Sequence, residues 1–179
     1  MSEFKMKTVK KGETDCWLSP PHVVEILVPY LKKFKTIWCP FDLESSAFVQ
    51  VLREHGFNVL YSHIYTGQDF FEYEPEEDYD AIVSNYPFTK RNAIFERCYD
   101  LGKPFALLSN YAGLFDNRKR FDLFKDKGVE LYIIRGRTAY IRESDGFSAS
   151  PMFQSIYVCH DVLPKQIVFQ DFSYPCLNR

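Results

Sequence analysis

Short apolar runs alternate with amphipathic stretches along most of this chain. Pro21 and the residues to 33 predict a helix, with Ser19 as its N-cap and a proline near the start, and Pro29 inside it should kink or split it. Thr36-Ile37-Trp38-Cys39 reads as a short apolar strand that ends at Pro40. Ser45 or Ser46 then caps a helix carrying Phe48, Val51, Leu52 and His55, which Gly56 ends in the left-handed region. Residues 57–61 predict a second strand. The clearest buried strand is Tyr79-Asp80-Ala81-Ile82-Val83-Ser84, and it runs directly into Asn85-Tyr86-Pro87-Phe88. A helix over 90–101 puts Ile94, Cys98 and Leu101 on one face, with Gly102 and Pro104 as its stop. Phe105-Ala106-Leu107-Leu108 is another buried strand, followed by a basic helix over 117–127. Residues 129–134, 138–141 and 153–158 then read as strands with no helices between them, which predicts antiparallel pairing. Ile167, Val168, Phe169 and Phe172 suggest one more strand or a wrapping segment.

This order predicts the α/β class, with a mostly parallel central sheet, helices on both faces and antiparallel C-terminal strands. With 179 residues and 46% hydrophobic positions, one domain spans 1–179, with a flexible segment at 1–14. Aromatic residues make up 17% of the chain, which excludes a disordered protein. No run of 18 apolar residues exists, so no membrane span is expected, and the Lys-spotted start has no apolar core for a secretory signal. Net charge of -2 excludes a uniformly basic nucleic-acid coat protein but leaves room for a local basic face. The five cysteines, Cys16, Cys39, Cys98, Cys159 and Cys176, are odd in number and form no CxxC pair. They read as free thiols in a reducing cytoplasm, and neither they nor Cys159-His160 have metal-ligand spacing.

Chemistry concentrates where the clearest strand meets the following helix. Ligands of open parallel sheets bind outside the carboxyl ends of the strands, so Asn85, Pro87 and an aromatic ring meet at the ligand edge. An amide oxygen and a neighbouring carbonyl can accept hydrogen bonds from an exocyclic amine, and a ring can stack on a base drawn out of its helix. Methyl transfer to such an amine needs orientation more than proton chemistry. An ordinary strand-to-helix turn also favours Asn and Pro. Asp42 and Glu44 could bind an ammonium or ribose hydroxyls, or could simply complement a helix dipole.

Over residues 15–158 the chain resembles the phage-type DNA N6-adenine methyltransferases. The resemblance rests on Asp15-Cys16-Trp17-Leu18-Ser19-Pro20, on Trp38-Cys39-Pro40-Phe41-Asp42, and on Ser62-His63-Ile64. It also rests on Gly67-Gln68-Asp69-Phe70-Phe71, on Asn85-Tyr86-Pro87-Phe88, and on the late pair Gly136-Arg137-Thr138-Ala139-Tyr140 and Ser150-Pro151-Met152-Phe153. It implies a Rossmann-like methyltransferase fold with S-adenosylmethionine as cofactor. The implied cofactor contacts are Trp17, Ser19, Pro20, Pro40, Phe41, Asp42, Glu44, His63, Asp69 and Phe70. The implied catalytic residues are Asn85, Tyr86, Pro87 and Phe88, acting on adenine in DNA in the cytoplasm of a bacterial host.

The chain departs from the family in three places. The cofactor loop, Pro40-Phe41-Asp42-Leu43-Glu44-Ser45-Ser46, has no glycine, although glycine lets a backbone approach its ligand closely. His63 stands where the family has an acid, and Tyr86 where it has a proline. Between 117 and 137, seven cations oppose three acids. Lys90, Arg91, Arg118, Lys119, Arg120, Arg135 and Arg137 therefore form a candidate phosphate-contacting rim, although a solvated helix face gives the same pattern. Two functions follow. One is a DNA adenine methyltransferase. The other is a catalytically inactive binding protein on the same scaffold, such as an anti-defence (anti-restriction or anti-CRISPR) inhibitor whose partner is a nuclease complex or its nucleic acid. A methyltransferase for an amine of RNA or protein is a third reading.

Overall fold

A computed structural model describes residues 17–142, 147–149 and 152–170. Asp15, Cys16, Ser150, Pro151, Phe172 and Cys176 lie outside the described residues, as does the ring of Trp17. In chain order the first half contains β1 (Trp17–Leu18), α1 (Pro21–Glu25), α2 (Val28–Leu31), β2 (Thr36–Cys39), α3 (Ala47–Glu54), β3 (Asn58–Tyr61) and β4 (Ala81–Asn85). The second half contains α4 (Arg91–Asp100), β5 (Phe105–Asn110), α5 (Arg118–Lys127), β6 (Glu130–Ile133), β7 (Tyr140–Arg142), β8 (Ser148–Ala149), β9 (Ser155–His160) and β10 (Ile167–Phe169). Single 3-10 turns cover Ile64–Thr66 and Phe88–Lys90.

Seven strands form the central sheet in the order β10-β6-β9-β5-β4-β2-β3. Six run in one direction, and β9 alone is reversed, antiparallel to both β5 and β6. The fold class is the one expected: β6 and β9 pair antiparallel, as strands with no helix between them should, and β10 adds a parallel strand outside β6. The late strands β7 and β8 join β1 in a separate small antiparallel sheet, β1-β7-β8, that the sequence did not suggest. Its register pairs Trp17 with Arg142 and Leu18 with Ile141. It therefore brings the start of the described chain beside its late third.

Both faces of the sheet are buried, as alternation along the strands requires. Ile37 and Cys39 of β2 point into a core with Val23, Leu31, Phe48 and Leu52 of α1, α2 and α3, and with Leu27 between the first two helices. Trp38 between them points the other way, into a core with Ile94, Phe95, Cys98 and Phe124 of α4 and α5. Pro29 splits the first predicted helix into α1 and α2. Its expected cap is corrected: Pro20 occupies the N-cap position, without any side-chain bond. Ser46 does cap α3, its hydroxyl accepting from the Val49 N–H at 3.3 Å, and Gly56 follows with a φ of 86°. Cys39, Cys98 and Cys159 are buried and free, and burial pushes all three thiols up in pKa.

Candidate functional site

The carboxyl ends of β2, β3 and β4 open onto a cavity of about 450 Å³, within the range of small-molecule sites. Its wall brings together Ser19, Pro40, Phe41, Asp42, His63, Asp69, Phe70, Asn85, Tyr86, Pro87 and Lys90 from five separate stretches of sequence. The rest of the predicted set stands elsewhere. Glu44 is exposed and pairs with Arg53 at 3.1 Å. Pro20 is buried and Phe88 is half-buried, and neither lines this cavity.

At the end of β2 the chain turns through 40–46 with no positive φ, so this loop needs no glycine. Asp42 is its buried centre, only 6% exposed. Its carboxylate accepts from the hydroxyls of Ser84 and Ser46, and its own N–H donates to the Ser62 carbonyl at 3.2 Å. Burial pushes its pKa up to about 6, and the two hydroxyl bonds only partly oppose that rise. Ser62 in turn accepts from the Trp38 indole at 3.0 Å. One network thus ties β2, β3, β4 and the start of α3 under the cavity.

At the end of β3, His63 opens the first 3-10 turn, its Nδ1 accepting from the Tyr65 N–H at 3.1 Å. The left-handed Gly67, with a φ of 81°, closes that turn. Ile64 and Tyr65 stay 58% and 63% exposed on the cavity wall. Two large apolar side chains left open beside a cleft suit the flat face of a ring system. The sequence reading missed both as site residues; the available signal was an apolar pair in a glycine-closed turn just after a strand. Phe70 is buried against Trp38 and Phe41, with ring centroids 5.5 and 4.8 Å away. The Asp69 carboxylate accepts from the Phe71 N–H at 3.0 Å, which fixes this corner of the wall.

At the end of β4, Asn85 donates from Nδ2 to the Ser19 hydroxyl at 3.1 Å. Its Oδ1 is buried and has no hydrogen-bond partner. A buried acceptor left empty is costly, so it marks a place where a donor belongs. Ser19, misread as a cap, instead orients this amide across 66 residues of sequence. Tyr86 turns its ring away into the core, 5.5 Å from Phe95, and its hydroxyl pairs with Ser109 at 2.7 Å. It therefore presents no face for a base to stack on. Phe88 is the half-buried ring next to it, at 5.4 Å and edge-on.

The basic residues divide. Lys90 is exposed at the cavity mouth, its ammonium 4.9 Å from the Phe71 ring centroid. Arg91 sits half-buried at the start of α4. Arg118 pairs with Asp122 at 3.9 Å and Lys119 with Glu96 at 2.8 Å, while Arg135 and Arg137 are exposed. Arg120 is corrected as a rim cation. It is only 6% exposed and donates to Asn92 Oδ1 and to the carbonyls of Gly113 and Leu114. Among the described residues, no group of three or more His, Cys, Asp and Glu is arranged to hold a metal ion, and no helix is long and apolar enough to cross a membrane.

No protein-family model and no curated protein matches this sequence. Solved structures do. The chain is similar to a precorrin-6y C5,15-methyltransferase from Geobacter metallireducens, with 11% identity and a TM-score of 0.50 over 82% of this chain and 91% of that one. It is also similar to a release-factor-specific protein-(glutamine-N5) methyltransferase from Alicyclobacillus acidocaldarius, with 14% identity and a TM-score of 0.41 over 84% and 98%. At such identities the likeness is one of fold. The chain is built on the Rossmann-like fold that methyltransferases use, with its cavity at the carboxyl ends of the parallel strands.

Proposed function

We propose that this protein is an S-adenosylmethionine-dependent methyltransferase acting on the N6 amine of adenine in DNA. The observation that carries the reading is the buried, unpartnered Oδ1 of Asn85 at the end of β4, with the half-buried ring of Phe88 three residues on. An exocyclic amine is a donor that fits it, and a flat base is a ligand that fits the ring. The residues around the cavity fit the cofactor: Ile64 and Tyr65 offer exposed apolar surface to its adenine beside the buried ring of Phe70, and Asp42 braces the loop at the end of β2. When bound, the cofactor supplies an electrophilic methyl group on a sulfonium. The protein's share is orientation. Ser19 holds the Asn85 amide, and Asn85 Oδ1 accepts from the amine so that its lone pair faces the methyl donor.

The test is transfer of labelled methyl from S-adenosylmethionine to unmethylated DNA, with the product identified after digestion to nucleosides. N6-methyladenine from the parent protein supports the reading. Label on a different base, or on RNA or protein alone, overturns the choice of substrate.

A second reading is favoured by one observation: the polar groups of loop 40–46 are already spent inside the protein, Asp42 above all. A scaffold of this kind suits a binding protein, such as an anti-defence inhibitor of a nuclease complex. Calorimetric titration with S-adenosylmethionine and S-adenosylhomocysteine separates the two. Micromolar binding, about -8 kcal/mol, belongs to the enzyme; no heat at millimolar ligand belongs to the binding protein.

A further inference from the structure

A second concavity, about 440 Å³, adjoins the main cavity: Thr89 and Lys90 line both, and Phe88 lines only the second. Arg91 and Arg120 both line it, together with Thr89 and Asn92. The two guanidiniums clasp the loop that follows β5. Arg91 donates to the Asn110 side chain at 2.6 Å and to the Ala112 carbonyl at 3.2 Å, while Arg120 donates to the carbonyls of Gly113 and Leu114. All of these partners are neutral. Neither arginine is within ion-pair distance of a carboxylate among the described residues. Asp116 is the acid whose field reaches Arg120, while Arg91 repels it. The Nε of Arg91 is buried with no partner. Arg120 uses three of its five N–H groups, which leaves two.

Two cations held side by side by neutral partners, with N–H donors left over, form a seat suited to an anion. We infer that this pocket binds a phosphodiester of the nucleic-acid strand, the one flanking the base presented to Asn85. The inference rests on the nucleic-acid substrate proposed above. Its ligand chemistry, a tetrahedral oxyanion, is shared by free phosphate, so the test must separate the two sources. Planar guanidiniums match such an oxyanion with paired donors, and Lys90 adds a third charge at the rim. The pocket fixes where the strand runs and carries no sequence information.

The experiment is anisotropy of a labelled single-stranded oligodeoxynucleotide without cofactor, in parent protein, Arg91→Gln and Lys90→Gln. A set of oligonucleotides each carries one neutral methylphosphonate, moved along the strand. The parent should lose affinity sharply at one position, and Arg91→Gln should lose little more there. Each variant should lower the salt slope by about 0.7, the value for one contact on a single strand. Lys90 is exposed, so its variant keeps the test valid if Arg91→Gln folds poorly. Equal losses at every position in all three proteins overturn the inference. So does displacement of the oligonucleotide by low-millimolar inorganic phosphate with no methylphosphonate effect, which would make this a small-anion site. Because binding is read without methyl transfer, an inactive protein that passes this test fails only the catalytic reading.

Discussion

Loop 40–46 and segment 84–91 leave the carboxyl ends of neighbouring parallel strands, yet they treat their polar groups in opposite ways. In the first, the Asp42 carboxylate is occupied by Ser84 and Ser46 and its N–H by the Ser62 carbonyl. In the second, the Asn85 Oδ1 and the Arg91 Nε are buried without partners. The difference separates support from function. A satisfied network can only hold shape, while an unsatisfied one keeps binding energy in reserve for a ligand. Ser84 belongs to both: it anchors Asp42 one residue before Asn85, so the satisfied loop sets the position of the unsatisfied one.

The comparison breaks most visibly at Asn85. Replacing it with alanine removes the acceptor and should cost on the order of a hundred- to a thousand-fold in methyl transfer, with the melting curve unchanged. Full transfer by Asn85→Ala would remove the residue from the chemistry.

Asp42 gives the next effect, on stability. Its folded pKa, about 6, lies above the ordinary 3.8, so the folded state holds a proton that the unfolded chain has released between those values. Its contribution is therefore full below about pH 4 and is lost as pH rises to 6, by about 3 kcal/mol. Exposed Asp78 and Asp80 have lowered pKa values and act in the opposite sense. The measurement is thus the difference between parent and Asp42→Asn in denaturant unfolding at several pH values. Superimposable pH profiles would show that the carboxyl is not buried as described.

Ser19→Ala is the mildest change. It removes one hydrogen bond that orients the amide, about 1 kcal/mol or roughly five-fold in transfer, with no change in the salt dependence of DNA binding. An unaffected rate would mean that Asn85 is positioned by packing alone.

The sheet and its helices were legible because their signals are local. Ser46 and Gly56 bracket α3 from within ten residues, and the run 81–85 is apolar enough to be a buried strand in any context. What was misread depends on distant partners. Ser19 has the sequence of a cap, but a hydrogen bond to Asn85 competes for its hydroxyl. Arg120 counts as a surface charge in any tally along α5, and only the return of the 113–114 carbonyls makes it an interior residue. The antiparallel pairing of β6 with β9 was readable from the missing helix between them, but the place of β9 between β5 and β6 was not, because its hydrogen bonds to β5 join residues far apart in sequence. The candidate site was legible as motifs but not as geometry. Ile64, Tyr65 and the turned-in ring of Tyr86 belong to the shape of the cavity, which no single segment contains.

The reversed strand β9 also governs when the molecule can finish folding. It lies between β5 and β6, both made earlier in the chain, and its register joins Phe105 to His160 and Glu130 to Cys159. Until residues 155–160 arrive, the sheet β3-β2-β4-β5 ends at an unpaired apolar edge on β5, and β6 has no strand beside it, because β10 comes later still. Closure is therefore a late, sequence-distant event, which slows folding. A chain stopped before Ser155 would present two ready templates for pairing with its neighbours, so its fate is aggregation rather than a smaller version of the fold.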